Sequence, residues 1–391
     1  MILSAIICFS ICDHLRNNMT SLYIHIPFCA KKCIYCDFYS ISYNEQLARS
    51  YVETLVKQIK HLDEKFYTVY IGGGTPTSLN IALLKKLLKA LSGISRDCIE
   101  FTVEANPESL SEDKIKLLGD FGVNRLSIGV QSLNDKKLKA LGRIHNSNRA
   151  LEAVYLASRN SFINLNIDLI FGVWGETIND WRDELAAAVK LPIKHISCYS
   201  LTYERSTPLF KKLKAKIIAQ LPDSVCAKMY KLTMDYLPEK KFLQYEISNF
   251  AKCGFECKHN LNYWENNSYV GLGVTAASFL NGARTKNISN IEDYIKRVQK
   301  EKSVVFSREE LSAKKSALET AAIKIRTKAG IDFNWFRKKT GFEFTTLEKD
   351  ALALLIKEKL LKYCIKHKQH NGVSATKKGF LFCDYVSAQL L

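Results

Sequence analysis

No stretch of this chain is apolar for long enough to cross a bilayer as a helix, which takes roughly 20 residues, and none is an internal repeat or of low complexity. The opening MILSAIICFSICDHLRNN is a short apolar run that lacks the basic start of a secretory signal. Met19 follows it and a well-patterned strand begins at Ser21, so residues 1–20 are expected to be an extension or a start read too early. Acidic residues are scarce beside basic ones, 39 against 57, which leaves a formal charge of +18. Such a balance suits nucleic acid, an anionic membrane face or an acidic substrate. The lysines are scattered, however. The densest group, Lys211–Lys216, is short, and no arginine-rich stripe or appended RNA-binding module accompanies it, so nucleic acid is not expected as a partner.

A disulfide framework is also missing. Twelve cysteines in 391 residues show no paired spacing of the kind that staples small secreted domains, which places the chain in a reducing, cytoplasmic compartment. Three of them, Cys29, Cys33 and Cys36, do fall within eight residues as C-x3-C-x2-C. Three thiolates on one short loop can hold a [4Fe–4S] cluster and leave one iron without a protein ligand, open to a small molecule. The alternatives are scattered core thiols or zinc, which wants a fourth ligand. The nearest candidate, His25, reads as an inward strand residue. Cys253, Cys257 and His259 form a second, incomplete C-x3-C-x-H set. Cys98, Cys198, Cys226, Cys364 and Cys383 fall in apolar runs and read as core thiols.

From Ser21 to about Thr207, short apolar runs alternate with helical patterns. Strands are expected at Leu22–Ile26, Thr68–Ile71, Ile99–Glu104, Arg125–Val130, Ile163–Ile170 and Lys194–Ser200. Helices are expected at Glu45–His61, Ile81–Leu91, Ser111–Asp120, Ala150–Ser158 and Asp180–Val189. Six β-then-α units imply parallel strands with right-handed crossovers, an α/β fold closing as a partial (β/α)6 barrel of TIM type. Its site would lie at the C-terminal strand ends. The Cys loop, the run Gly72-Gly73-Gly74-Thr75, Glu104 with Asn106, Gln131, Asp168 and Thr202 all fall there, and the strand starts are expected to lack such groups. The glycine run is neither a P-loop nor a dinucleotide loop. It permits close backbone approach to a ligand. Residues 21–222 are thus read as the barrel, 223–307 as a connecting region, and 308–391 as a helix-rich, winged-helix-like domain, with a lysine-rich linker near Lys296–Lys302.

The loop CAKKCIYC over Cys29–Cys36, the glycine run and the strand-end carboxylates resemble the radical S-adenosylmethionine enzymes. The segments SLYIHIPFC (21–29), IGGGTPT (71–77), VEANP (103–107), GVQS (129–132) and YEISNF (245–250) narrow the resemblance to oxygen-independent coproporphyrinogen III oxidases and their haem-chaperone relatives, from about Ser21 to Leu381. The resemblance implies that Cys29, Cys33 and Cys36 hold a [4Fe–4S] cluster. It implies that Tyr23, Tyr35, Gly73, Gly74, Thr75, Glu104, Gln131, Arg143, Asp168 and Thr202 line an S-adenosylmethionine site. Glu104 and Asp168 suit an ammonium and ribose hydroxyls, and Arg143 suits a carboxylate, although a helix-surface ion pair is the alternative for Arg143. Tyr35 suits a flat ring or plain loop packing. Oxidases of this class carry a further cysteine two residues past the third ligand, where Phe38 stands here. HNLNYW (259–264) resembles the haem motif of the chaperones, which implies His259 as an axial ligand with Tyr263 and Trp264 flanking a porphyrin. Taken alone, His259 reads as a satisfied structural histidine. The implied function is a haem carrier, with an oxidative decarboxylase of coproporphyrinogen III as the alternative. Implied partners are haem, an acceptor protein at a membrane and an electron donor, with the basic surface suited to the inner membrane face. The chain departs from the family at GVWGET (172–177) and GLGVTAASF (271–279).

Overall fold

A computed structural model describes residues 20–62, 65–160, 162–366 and 369–391. The expected extension, apart from Thr20, lies outside the described residues. Six strands, β1 (Ser21–Ile26), β2 (Thr68–Gly73), β3 (Glu100–Ala105), β4 (Arg125–Gln131), β5 (Asn164–Phe171) and β6 (His195–Ser200), pair in parallel in chain order. Between them run α1 (Glu45–Ile59), α2 (Ile81–Ser95), α3 (Glu112–Asp120), α4 (Asp135–Ala140), α5 (Ser147–Arg159) and α6 (Ile178–Ala188). Each begins where a short polar side chain accepts a backbone N–H: Asn44, Asn80, Ser111, Asn134, Asn146 and Thr177. Those caps satisfy otherwise unpaired amides and define the helix starts.

Each strand has two unlike faces, because successive side chains point opposite ways. Leu22, Ile24, Val69, Ile71, Phe101, Val103, Leu126, Ile128, Leu165, Ile167 and Ile196 pack outward under the helices in one core. The other face is polar from end to end: Thr68 and Tyr70, Glu100, Thr102 and Glu104, Arg125 and Ser127, Asn166 and Asp168, His195 and Ser197. This corrects the expectation that strand starts lack polar groups. Thr68 donates to Ser21, Asn166 donates to Ser127, and His195 Nδ1 lies 2.6 Å from Asn166 Oδ1. The barrel interior is a hydrogen-bonded lumen.

The connecting region joins the same sheet. Helix α7 (Asp223–Glu239) leads to β7 (Leu243–Gln244) and β8 (Asn249–Ala251), which run antiparallel beside β6. Helix α8 (Lys258–Trp264) precedes β9 (Tyr269–Leu272), which pairs in parallel with β1. Strands β10 (Ala277–Leu280), β11 (Ala283–Asn287) and β12 (Val305–Glu310) continue from it as an antiparallel ribbon. The lysine-rich stretch expected as a linker contributes instead to α9 (Ile291–Gln299). Its Ile291, Tyr294, Ile295 and Val298 are buried, at helical spacing. The C-terminal part follows the order α10 (Ala313–Lys324), β13 (Ile331–Asp332), α11 (Phe333–Thr340), α12 (Lys349–Lys357), β14 (Leu361–Lys366) and β15 (Gln369–Ala375), with β15 central in its sheet. That is a winged-helix arrangement.

Tyr51 on α1 pins the seam where the ribbon meets the barrel. Its hydroxyl donates to His25 O at 2.9 Å and accepts from Val274 N at 3.0 Å, wholly buried. Tyr51→Phe should therefore cost about 1–3 kcal/mol, because a buried amide loses its partner. The check is a fall in the urea midpoint with an unchanged slope.

Candidate cofactor site at the barrel mouth

The Cys loop leaves β1 and is closed by backbone bonds. Ile41 N donates to Pro27 O and Tyr43 N to Cys29 O, which pairs Phe28–Cys29 with Ile41–Ser42. Leu209 N donates to Ile34 O and ties the loop to the segment after β6. The thiols of Cys29, Cys33 and Cys36 are free and half-buried. Burial raises those of Cys29 and Cys36, so thiolates there depend on donors or iron. Thr75 and Arg143 are among the donors in place. Thr75 Oγ1 lies 3.6 Å from Cys29 Sγ, and Arg143 Nη1 donates to Cys33 Sγ at 3.4 Å. Among the described residues no three His, Cys, Asp or Glu side chains surround a point fit for a single metal ion. A cube places each thiolate on a different iron, so its ligands ring a larger volume. Three thiols on one short loop are a donor set that suits a [4Fe–4S] cluster with one open iron. His25 is already used: Nε2 donates to Tyr39 O at 3.0 Å and Nδ1 accepts from Tyr23 at 3.1 Å.

The other expected mouth residues are brought to the same end of the barrel. Glu104 accepts from Tyr70 at 2.6 Å and from Gly73 N at 3.1 Å, and burial raises its carboxyl to about 7. Asp168 accepts from Asn166 at 2.8 Å, and burial raises it too. Arg125 lies within electrostatic reach of both carboxyls, yet burial outweighs it, and the pair suits a cationic, hydroxylated ligand. Gly73 has φ +111°, and a Cβ there would stand 2.5 Å from the His25 ring; at Gly74 it would stand 2.8 Å from Phe28 O. Gln131 takes φ +63° at the end of β4, and Thr202 is exposed on the rim. Tyr35 packs with Leu141, Ile170, Val173, Leu201 and Leu209. Arg143 also lies at this end of the barrel, beside Cys33. Its Nη2 donates to Asn106 Oδ1 at 2.7 Å and Gly129 O at 2.9 Å, which leaves only a buried Nε unpartnered. Tyr70 was not among the expected site residues, and Asn106 was expected at the mouth without a role. The sole signal for Asn106 was its place at the end of β3, before Pro107.

The 259–264 motif lies at the opposite end. Glu100, at the start of β3, accepts from Lys258 N, His259 N and Cys257 Sγ at 2.8, 3.0 and 3.3 Å, and so seats α8 across the barrel floor. His259 is 1% exposed and stacks on Tyr70 at 4.9 Å. Thr68 already donates to Ser21, so His259 Nδ1 donates to Thr68 at 2.7 Å and Nε2 accepts from Tyr263 at 2.9 Å. Burial, then the charge of Arg125, lowers the ring to about 3 and keeps it neutral. While α8 is docked, no nitrogen of His259 is open to an iron, and Trp264 is half-buried. Cys253 is exposed and Cys257 donates to Glu100, so the C-x3-C-x-H set does not converge. Of the expected core thiols, Cys198 and Cys383 are buried, whereas Cys98, Cys226 and Cys364 are half-buried.

The sequence pattern of the Radical SAM superfamily matches residues 23–188. The haem chaperone HemW of Lactococcus lactis is 35% identical over 92% of this chain and 94% of its own. The HemW of Bacillus subtilis is 34% identical over 95% and 99%. The solved coproporphyrinogen III oxidase HemN of Escherichia coli, a radical SAM enzyme, superposes with a TM-score of 0.82 at 22% identity, over 95% of this chain and 90% of that one, which shows a shared fold. The chain is a radical SAM protein. Within that superfamily it belongs to the family of the HemW haem chaperones.

Glu104 and Glu246 are both raised by burial from 4.5 to about 7. Between those values the folded state binds more protons than the unfolded one, so stability falls as pH rises. Glu104→Gln should flatten that slope, measured as urea midpoints from pH 5 to pH 8. A slope identical to that of wild type would refute the assignment.

Proposed function

We propose that this chain is a haem chaperone. It would hold a [4Fe–4S] cluster on Cys29, Cys33 and Cys36 with S-adenosylmethionine in the barrel mouth, and pass haem to an acceptor protein. The observation that carries the reading is Phe38. It stands 73% exposed just beyond the third thiol, at the position where the oxidases of this class have a further cysteine. The near full-length likeness to proteins named as haem chaperones supports it. When bound, such a cluster supplies single electrons to S-adenosylmethionine. Glu104 and Asp168 would receive its ammonium and ribose hydroxyls, and Tyr23, Gly73, Gly74, Thr75, Gln131 and Thr202 would line it.

His259 would serve as the haem ligand once α8 leaves Glu100. Its Nδ1–H is committed to Thr68, so Nε2 carries the lone pair an iron would take, and that lone pair is held by the Tyr263 hydroxyl. Release of Tyr263 would present a neutral imidazole, with Tyr263 and Trp264 beside it. The acceptor would be a haem protein at the inner membrane face, which the basic surface of a cytoplasmic carrier would help approach. An electron donor would reduce the cluster.

The test is an anaerobic haem titration of the cluster-loaded chain, followed by the Soret band. Wild type should bind one haem per chain, and His259→Ala should weaken binding roughly tenfold or more. Absence of specific binding, with protoporphyrinogen formed from coproporphyrinogen III, would replace the chaperone with the oxidase. Hydrogen exchange should show faster exchange over 258–264 on haem addition.

A further inference from the structure

The two donors at the cluster thiols are joined through one side chain. Arg143 Nη2 donates to Asn106 Oδ1 at 2.7 Å, and Asn106 Nδ2 donates to Thr75 Oγ1 at 2.7 Å. The result is a continuous chain: Cys33, Arg143, Asn106, Thr75, Cys29. Its direction is not arbitrary. A guanidinium can only donate, so the amide oxygen must face Arg143 and the amide nitrogen must face Thr75. Thr75 Oγ1 therefore accepts a hydrogen bond from Asn106, and its own O–H remains for the sulfur 3.6 Å away. A thiolate on iron accepts only, which completes the same sense of donation.

The surroundings hold Asn106 in this pose. Ser109 Oγ accepts from Asn106 N and donates to Asn106 O, and Pro107 follows directly, which fixes the turn after β3. Gly129 supplies the space: a Cβ there would stand 2.6 Å from Asn106 Oδ1. The carbonyl of that same glycine takes the second bond of Arg143 Nη2. On the far side, Glu108 lies 3.9 Å from Arg143 and 3.0 Å from His145, whose ring also reaches Val130 O at 3.1 Å.

We infer that Asn106 is a positioning residue for the cluster, directing one hydrogen bond to each of two thiolates and thereby raising the cluster's reduction potential. Hydrogen bonds to ligand sulfurs stabilise the more negative, reduced cluster. Asn106→Asp would invert the direction on one side. A carboxylate accepts from both neighbours, so Thr75 would turn its proton away from Cys29. The added charge would itself lower the potential, and a cycle with Thr75→Val separates the two effects. The inference rests on the cluster reading above.

The experiment is an anaerobic redox titration of the full reconstituted chain, followed by the EPR signal of the reduced cluster. Samples are wild type, Asn106→Asp, Thr75→Val, Thr75→Ser and the Asp/Val double variant, each with iron and sulfide determined. Thr75→Val should make reduction about tenfold less favourable, about 59 mV for one electron. Thr75→Ser should keep the wild-type value. Asn106→Asp should lower the potential more in the presence of Thr75 than in the Thr75→Val background. Equal shifts in both backgrounds would leave charge alone and overturn the inference. So would an unmoved potential in Thr75→Val, which stands even if Asn106→Asp loses its cluster. Wild type without iron and sulfide would sink the cluster reading as well, a separate result from full clusters with unmoved potentials.

Discussion

The constraint on which this structure depends is the two-faced strand. Six parallel strands put Val, Ile, Leu and Phe toward the helices and polar groups toward one another. A polar interior is stable only if its donors and acceptors find partners inside. The chain meets this with ladders between neighbouring strands: Thr68 to Ser21, Tyr70 to Glu104, Asn166 to Ser127 and His195 to Asn166. The floor and the mouth of the barrel are the two ends of this lumen, and each is closed by a different loop set.

That common interior relates two motifs that lie far apart in sequence. Tyr70 stacks on His259 at the floor and donates to Glu104 near the mouth. Glu100 and Glu104, two turns of the pleat apart on one strand, serve opposite ends: one seats α8 and the other faces the cofactor site. His259 at the floor is thereby built into the same hydrogen-bonded column as Glu104 at the mouth.

Much of this was legible beforehand. The six strands and their crossover helices follow from alternation and from Asn, Ser and Thr caps, because both signals are local. The Cys loop was legible because its three cysteines share one short segment. Other features were not. The stretch near Lys296 looked like a charged linker, yet Ile291, Ile295 and Val298 mark a buried helical stripe whose partner is α1, distant in sequence. The polar strand starts at Glu100, Arg125 and His195 were not legible, because their partners come from other strands and from α8. His259 looked like a ligand, and its neighbours Thr68 and Glu100 come from strands more than 150 residues earlier.

By itself the sequence determined the order of strands and helices, the place of the Cys loop and the family, since each rests on residues close together in the chain. Only the tertiary structure decided which polar groups meet. Asn106 reaches Thr75 across 31 positions and Arg143 across 37, because β2, β3 and β4 lie side by side in the sheet. Hydrogen bonds act over about 3 Å, so a residue's role in this site is set by its neighbours in space, and strand order is what supplies them.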